Sequence, residues 1–185
     1  TITIERYFYL SAAKARNRRI LKKIMPMLEK GEMNSVVQLT QESNATVSKI
    51  LAQGLAHFKA ARRRDDIEAS MEETIMEAIP RLEKRTHYLA MFANIATLLG
   101  LLGTIIGLIK AFTAVAQVDP SMKAEILSTS ISVAMNTTAF GLMVAIPLLL
   151  FYTFLQTKTT EIIDSLEMAT VRFVNQLAKF KGATG

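Results

Sequence analysis

Two long stretches of the chain, 88–109 and 126–157, contain no charged residue, whereas charge is frequent almost everywhere else. About 20 apolar residues, at roughly 1.5 Å rise each, cross a hydrocarbon core of about 30 Å, so each stretch can form a membrane-spanning helix. The second would reach about 48 Å if fully helical, so it should tilt or project beyond the bilayer. Pro147 lies inside it and should bend it, because proline removes one backbone donor. A second kind of pattern flanks the spans. Ile67, Met71, Ile75, Ala78, Ile79 and Leu82 recur at three- and four-residue spacing, which predicts an amphipathic helix over 67–85 leading into the first span, with Pro80 a point of bending. Ile162, Leu166, Ala169, Phe173, Leu177 and Phe180 repeat in the same way between Lys158 and Lys181. That stripe has to be covered, by other helices on the favoured reading or by a membrane surface on the other.

The N-terminal part is predicted to be helical too. A basic amphipathic helix covers 14–28 and is broken near its end by Pro26, and Gly31 marks a turn. Two short helices follow, 32–41 and 45–59, separated by Ser43 and Asn44 as cap formers. The run Arg62-Arg63-Arg64-Asp65-Asp66 reads as a solvated face. The fold class expected is therefore all-α: an integral membrane protein with long helices extending into the cytoplasm.

Composition agrees with a membrane protein that keeps a sizeable polar portion, since 50% hydrophobic residues and a mean hydropathy of +0.26 coexist with 21% charged residues. The net charge of +6 comes with no aromatic-interleaved basic groove, so no nucleic-acid partner is expected. Between Ser11 and His87 lie 15 Lys or Arg, whereas 117–125 holds Lys123 as its one base. The positive-inside rule then orients the chain. Residues 1–10 read as the cytoplasmic end of a membrane helix that begins before residue 1, and 11–87 as a cytoplasmic helical region. A transmembrane helix covers 88–116, a periplasmic connector 117–125, a second transmembrane helix 126–157, and a cytoplasmic C-terminal helix 158–185. Part of the charge of the basic run Lys14 to Lys23, with its cluster Arg16, Arg18 and Arg19, and of the Arg62–Arg64 cluster is expected to meet acidic lipid head groups, each base adding about 1 kcal/mol. Lys110 should snorkel to the periplasmic boundary.

Chemistry of the catalytic kind has little to work with. There is no cysteine, and His57 and His87 are far apart without metal-ligand spacing, so neither a metal nor another cofactor is expected. His57 reads as a solvated helix residue and His87 as a membrane-boundary residue. An intramembrane enzyme is disfavoured, because the spans hold no Cys, no His and no acid pair.

The small residues of the spans are more informative. Thr97, Gly100, Thr104, Gly107 and Ala111 fall within an arc of about 80° on the first span at roughly 100° per residue. Ser130, Ala134, Thr138, Gly141 and Ala145 do the same on the second, and Tyr152 continues the line. Two readings fit such faces. Small residues let membrane helices approach closely, with each Thr bonding its own backbone. Alternatively, the hydroxyls line a path for water or an ion.

The runs Leu99-Gly100-Leu101-Leu102-Gly103-Thr104-Ile105-Ile106-Gly107-Leu108-Ile109 with Phe112, and Thr137-Thr138-Ala139-Phe140-Gly141-Leu142-Met143-Val144-Ala145-Ile146-Pro147, resemble the two signature helices of the MotA/TolQ/ExbB proton-channel family. They occur in the family's order with a short connector between them. Ala78-Ile79-Pro80-Arg81-Leu82-Glu83 resembles the lead-in helix, and Glu5-Arg6 the end of the first membrane helix. The layout is similar to the ExbB and TolQ branch rather than the four-span MotA branch. This resemblance implies a ring, pentameric in the family, in the bacterial inner membrane around the helices of an ExbD- or TolR-like partner. It further implies that proton flow drives a TonB- or TolA-like protein. The family's pore threonines fall on Thr104 and Thr138, with Thr97, Ser130 and Ala145 beside them on the expected pore face. Gly100, Gly103, Gly107, Gly141 and Pro147 fall to helix packing. Many ExbB and TolQ sequences carry a glutamate where this chain has Val133, and neither uncharged stretch holds Asp, Glu or His. Threonine has no accessible pKa, so the titrating carboxylate should belong to the partner. A motility-type stator and a purely structural membrane scaffold stand as alternatives.

Overall fold

The computed structural model describes residues 2–60 and 63–183, with the side chains of 180–183 excepted. Arg62 and the Phe180 side chain, both used in the sequence reading, lie outside the described residues. The described residues form six helices and no strand. These are α1 (Ile2–Glu29), α2 (Met33–Glu42), α3 (Thr46–Lys59), α4 (Arg64–Glu83), α5 (His87–Val115) and α6 (Pro120–Ala183). The chain divides into two compact units, Thr1–Lys84 with Leu155–Gly185, and Arg85–Phe154.

The first unit is a helical bundle with an apolar core. The predicted stripe of α4 is buried at Ile67, Met71, Ile75 and Leu82, and that of α6 at Ile162, Leu166, Ala169, Phe173 and Leu177. Other helices therefore cover the C-terminal stripe. Gly54 shows how closely they meet, because a methyl there would stand 2.5 Å from Met71 Sδ and 3.1 Å from Phe173 Cε1. Leu10, Ile24 and Leu28 of α1 and Val36 of α2 complete the core, each with no exposed surface. Burying side chains of this size contributes roughly 1.5–3 kcal/mol apiece relative to exposure.

Several boundaries depart from expectation, for local reasons. Pro26 does not break α1, since losing one amide leaves a single carbonyl unpaired and the helix runs on to Glu29. The stop comes from Gly31 at φ 76°, where Gly31 N–H donates to Leu28 O at 3.1 Å and Glu32 N–H to Met27 O at 3.0 Å. These are the two bonds of a glycine C-cap. Ser43 and Asn44 do not cap α3. The Ser43 hydroxyl accepts from Ala45 N–H at 3.2 Å, a local turn, and Ala45 occupies the cap position without a side-chain bond. The described part of the Arg62–Asp66 run, Arg63 to Asp66, is exposed as expected, and its acidic end also starts a helix. α4 begins at Arg64, and Asp66 accepts from Arg63 N–H at 3.3 Å, which places carboxylates in the first turn.

α4 does not run into α5. Arg85 takes the left-handed conformation at φ 65° and separates the two helices. The connector is shorter than 117–125, because Pro120 opens α6 at the position where its missing amide costs nothing. The expected separate helix over 158–185 is the continuation of α6, which has no break at Lys158. Charge changes there, but no residue between Pro147 and Gly182 interrupts the backbone ladder.

Arg6 has a role the sequence did not advertise. It is 4% exposed, and its guanidinium donates to the carbonyls of Leu82 and Arg81 at the end of α4, where a helix presents partial negative charge. Lys14 of α1 pairs with Glu161 of α6 at 2.5 Å, both half-exposed. The hydrogen bond from Lys14, and then its charge, hold the Glu161 carboxyl below its ordinary range, with a smaller pull from Lys158 and opposition from desolvation. A depressed carboxylate stabilises the fold above its unfolded pKa of 4.5, and that contribution fades as pH falls through the folded value. Glu161→Gln should therefore lower the melting temperature slightly at pH 7, where the stabilisation is fully present, with the deficit shrinking as pH falls through the folded value. A deficit that stays the same at acid pH and in high salt would contradict this titrating, screened surface character.

Candidate functional site

The second unit is built from α5 and the first part of α6, which pack through their small residues. A methyl on Gly100 would stand 3.2 Å from Gly141 Cα and 3.3 Å from Thr138 Cα. A methyl on Gly141 would stand 2.7 Å from Ala96 O, and one on Gly107 2.6 Å from Ala134 Cβ. Thr137 lies against Gly103. The pairs fix an antiparallel register in which Gly107 meets Ala134, Gly100 meets Gly141, and Thr104 lies between them beside Thr138. Pro147 sits inside α6, which stays helical through it.

The two sequence-derived threonines come together across this seam. Thr104 Oγ1 and Thr138 Oγ1 are hydrogen-bonded to each other. The carbonyl of Gly100 lies within hydrogen-bond distance of both, 3.2 Å from Thr104 Oγ1 and 3.1 Å from Thr138 Oγ1, so with one proton apiece one hydroxyl donates to the carbonyl while the other donates to its partner or to the carbonyl in turn. The Gly100 carbonyl already accepts within its own helix, so its second lone pair serves the hydroxyls. Both side chains are half-buried. The pair is thus held in place and still partly accessible.

The other expected site residues are distributed differently. Thr97 is half-buried and donates to Ala93 O at 3.1 Å. Ser130 is half-buried, and Ala145 is 2% exposed. Thr137, adjacent to the pair, is exposed and donates to its own helix at Val133 O, 3.1 Å away. Val133 is 60% exposed. Tyr152 is half-buried, with its ring 6.4 Å from that of His87 at the start of α5. In the first unit, His57 is half-buried rather than solvated, and its Nε2 has no hydrogen-bond partner among the described residues. Arg16, Arg18 and Arg19 are all exposed on α1. No cluster among the described residues could hold a metal ion.

The spans themselves look outward. α5 and α6 are both long and apolar enough to cross a membrane. Leu98, Ile105, Phe112, Met135, Phe140, Met143 and Leu150 are among the large apolar side chains left exposed in the single chain. Such a surface requires lipid or further helices around it.

A family model described as the MotA/TolQ/ExbB proton channel family matches residues 42–168, which include the lead-in helix, both spans and the seam. The chain belongs to the MotA/TolQ/ExbB proton channel family. Among its relatives, a protein named as an ExbB homolog of Methanothermobacter thermautotrophicus is 28% identical over 167 residues, covering 89% of this chain and 58% of the relative. Biopolymer transport protein exbB1 of Vibrio cholerae is 31% identical over 134 residues, 64% of this chain and 58% of the relative. Biopolymer transport protein ExbB of Aquifex aeolicus is 36% identical over 80 residues. The chain thus spans a little over half the length of these relatives. Its all-helical architecture and apolar helices are those of this membrane-protein family, in its ExbB-like branch.

Sequence reasoning found Thr104 and Thr138 but not the acceptor that joins them. Gly100 precedes Thr104 by one turn, so that bond was implicit in the spacing. The bond from Thr138 depends on the register of two antiparallel helices, which no local pattern encodes.

Proposed function

We propose that this chain is the proton-channel subunit of a motor in the bacterial inner membrane. Five copies form a ring around the membrane helices of a smaller ExbD- or TolR-like partner, and the proton gradient is used to drive a TonB- or TolA-like protein. The single observation that carries this reading is the hydroxyl pair Thr104–Thr138, fixed on the Gly100 carbonyl within two spans that contain no Asp, Glu or His between 88 and 116 or 126 and 157. Hydroxyls can donate to and accept from a carboxylate or water but cannot hold the proton as a charge. A carboxylate on the partner helix supplies that group, and the pair stabilises its ionised form. The charged helical unit and both its connections to the spans lie on the cytoplasmic side, and residues 116–119 face the periplasm. The names of the relatives, which speak of biopolymer transport, favour this role over a motility-type stator.

A scaffold reading also has an observation behind it, since the small faces of α5 and α6 meet each other. The two readings differ in what they need from a partner. Co-expression with a membrane protein carrying one aspartate in its span should yield a stable complex with several copies of this chain per partner helix, read from its mass. A chain that purifies alone, as a monomer, would reject the motor.

A further inference from the structure

The first unit contains a cavity of about 260 Å³ that takes no part in the seam. It is lined from three helices: by Arg16 of α1, Lys49 of α3, and Glu77 and Arg81 of α4, with the Asn44–Thr46 segment at the start of α3. Three cations thus share one concavity with a single carboxylate. None of Arg16, Lys49 and Arg81 is in an ion pair among the described residues, and the same holds for Glu77. Like charges are not gathered around a hollow without cost, so the arrangement favours an anion between them.

The start of α3 adds donors to the same hollow. α3 has 14 residues and no side-chain cap, because its N-cap residue is Ala45, and the nearby Ser43 hydroxyl accepts from Ala45 N–H. Val47 N–H is met by Asn17 Oδ1 at 3.4 Å, whereas Thr46 N–H has no partner among the described residues and Thr46 lines the cavity. A helix N-terminus with open amides attracts an anion, and guanidinium groups bind phosphate oxygens in pairs. The volume lies just below that of pockets for drug-sized ligands, about 300–1,000 Å³, and suits a head group.

We propose that this cavity binds one phosphate group, held by Arg16, Lys49, Arg81 and the first turn of α3. An acidic phospholipid is the favoured source. Arg81 lies six residues before His87, the first residue of the apolar helix α5, so the cavity stands close along the chain to the membrane boundary. A free phosphate ion offers the same chemistry. The site is independent of the hydroxyl pair, and its test does not involve proton flux.

The full chain, purified in detergent, is exposed to phosphatidylglycerol or phosphatidylcholine, and retained lipid is counted by native mass spectrometry. Inorganic phosphate binding is titrated calorimetrically in parallel. Wild type should retain phosphatidylglycerol at least tenfold better than phosphatidylcholine. Arg16→Gln with Lys49→Gln should remove that preference, and Lys49→Glu alone should do the same. Lys22→Gln with Lys23→Gln, which removes equal charge from α1 outside the cavity, should keep it. Phosphate binding that responds to the same variants, without lipid retention, would assign the site to the free ion and overturn the lipid source. Loss of retention in the Lys22 and Lys23 variant, or no binding of either probe by wild type, would overturn the site.

Discussion

Replacing Thr138 with valine should abolish partner-dependent proton flux while leaving the fold and the oligomer intact, and Thr104→Val should do the same. Valine nearly reproduces the shape of threonine, so contacts along the seam survive. What is lost is one hydroxyl of a pair whose members bond each other and the Gly100 carbonyl. In the proposed motor these hydroxyls stabilise the ionised carboxylate of the partner, so deleting one raises that carboxyl's pKa. A loss of about 1–3 kcal/mol in stabilising the charge slows proton release by tenfold or more. Thr137→Val is the internal control. Its hydroxyl is exposed and donates to its own helix at Val133 O, so its removal should be much milder. Wild-type flux in vesicles carrying the Thr104 and Thr138 variants would reduce the pair to a packing device.

The second large effect is expected at Gly141. A methyl there would approach Ala96 O to 2.7 Å and Gly100 Cα to 2.9 Å, and both are backbone atoms of the facing helix. Neither can rotate away, so Gly141→Ala must push α5 and α6 apart along the seam. Overpacking of this kind costs about 1–3 kcal/mol, and it also separates the two threonines. Gly54→Ala offers the contrast in the charged unit. Its nearest obstacle, at 2.5 Å, is the Sδ of Met71, which belongs to a flexible side chain that can repack. Thermal unfolding in detergent should show a clear loss for Gly141→Ala and a smaller one for Gly54→Ala. The reverse order would mean that the seam is looser than the contacts across Gly100 and Gly141 imply.

Much of this fold was legible because the solvent changes along the chain. The uncharged runs locate the spans, and the stripes of α4 and of the end of α6 locate the core at Met71, Phe173 and their neighbours. Boundaries were harder, because charge marks where the membrane ends and not where a helix ends. Lys158 is such a case: α6 passes through it unbroken. Ser43 was misread since a hydroxyl near a helix start can serve a tight turn instead of the cap, and only the backbone angles decide. Arg85 breaks the path from α4 to α5 with a left-handed residue that no propensity marks. The threonines were found by their positions in two recurrent runs, but their meeting needs the register of α5 on α6. That register is written in pairs of small residues, Gly107 with Ala134 and Gly100 with Gly141, whose partners become evident once the helices are placed.

The central claim is that this chain conducts protons only together with a partner that brings the acid. It is tested most directly in vesicles containing this protein and a single-span partner with one membrane aspartate, by following internal pH after a proton gradient is imposed. The account predicts acidification when both proteins are present, and none with either alone or when the partner's aspartate is changed to asparagine. Acidification by this chain alone, or undiminished acidification with the asparagine partner, would contradict it.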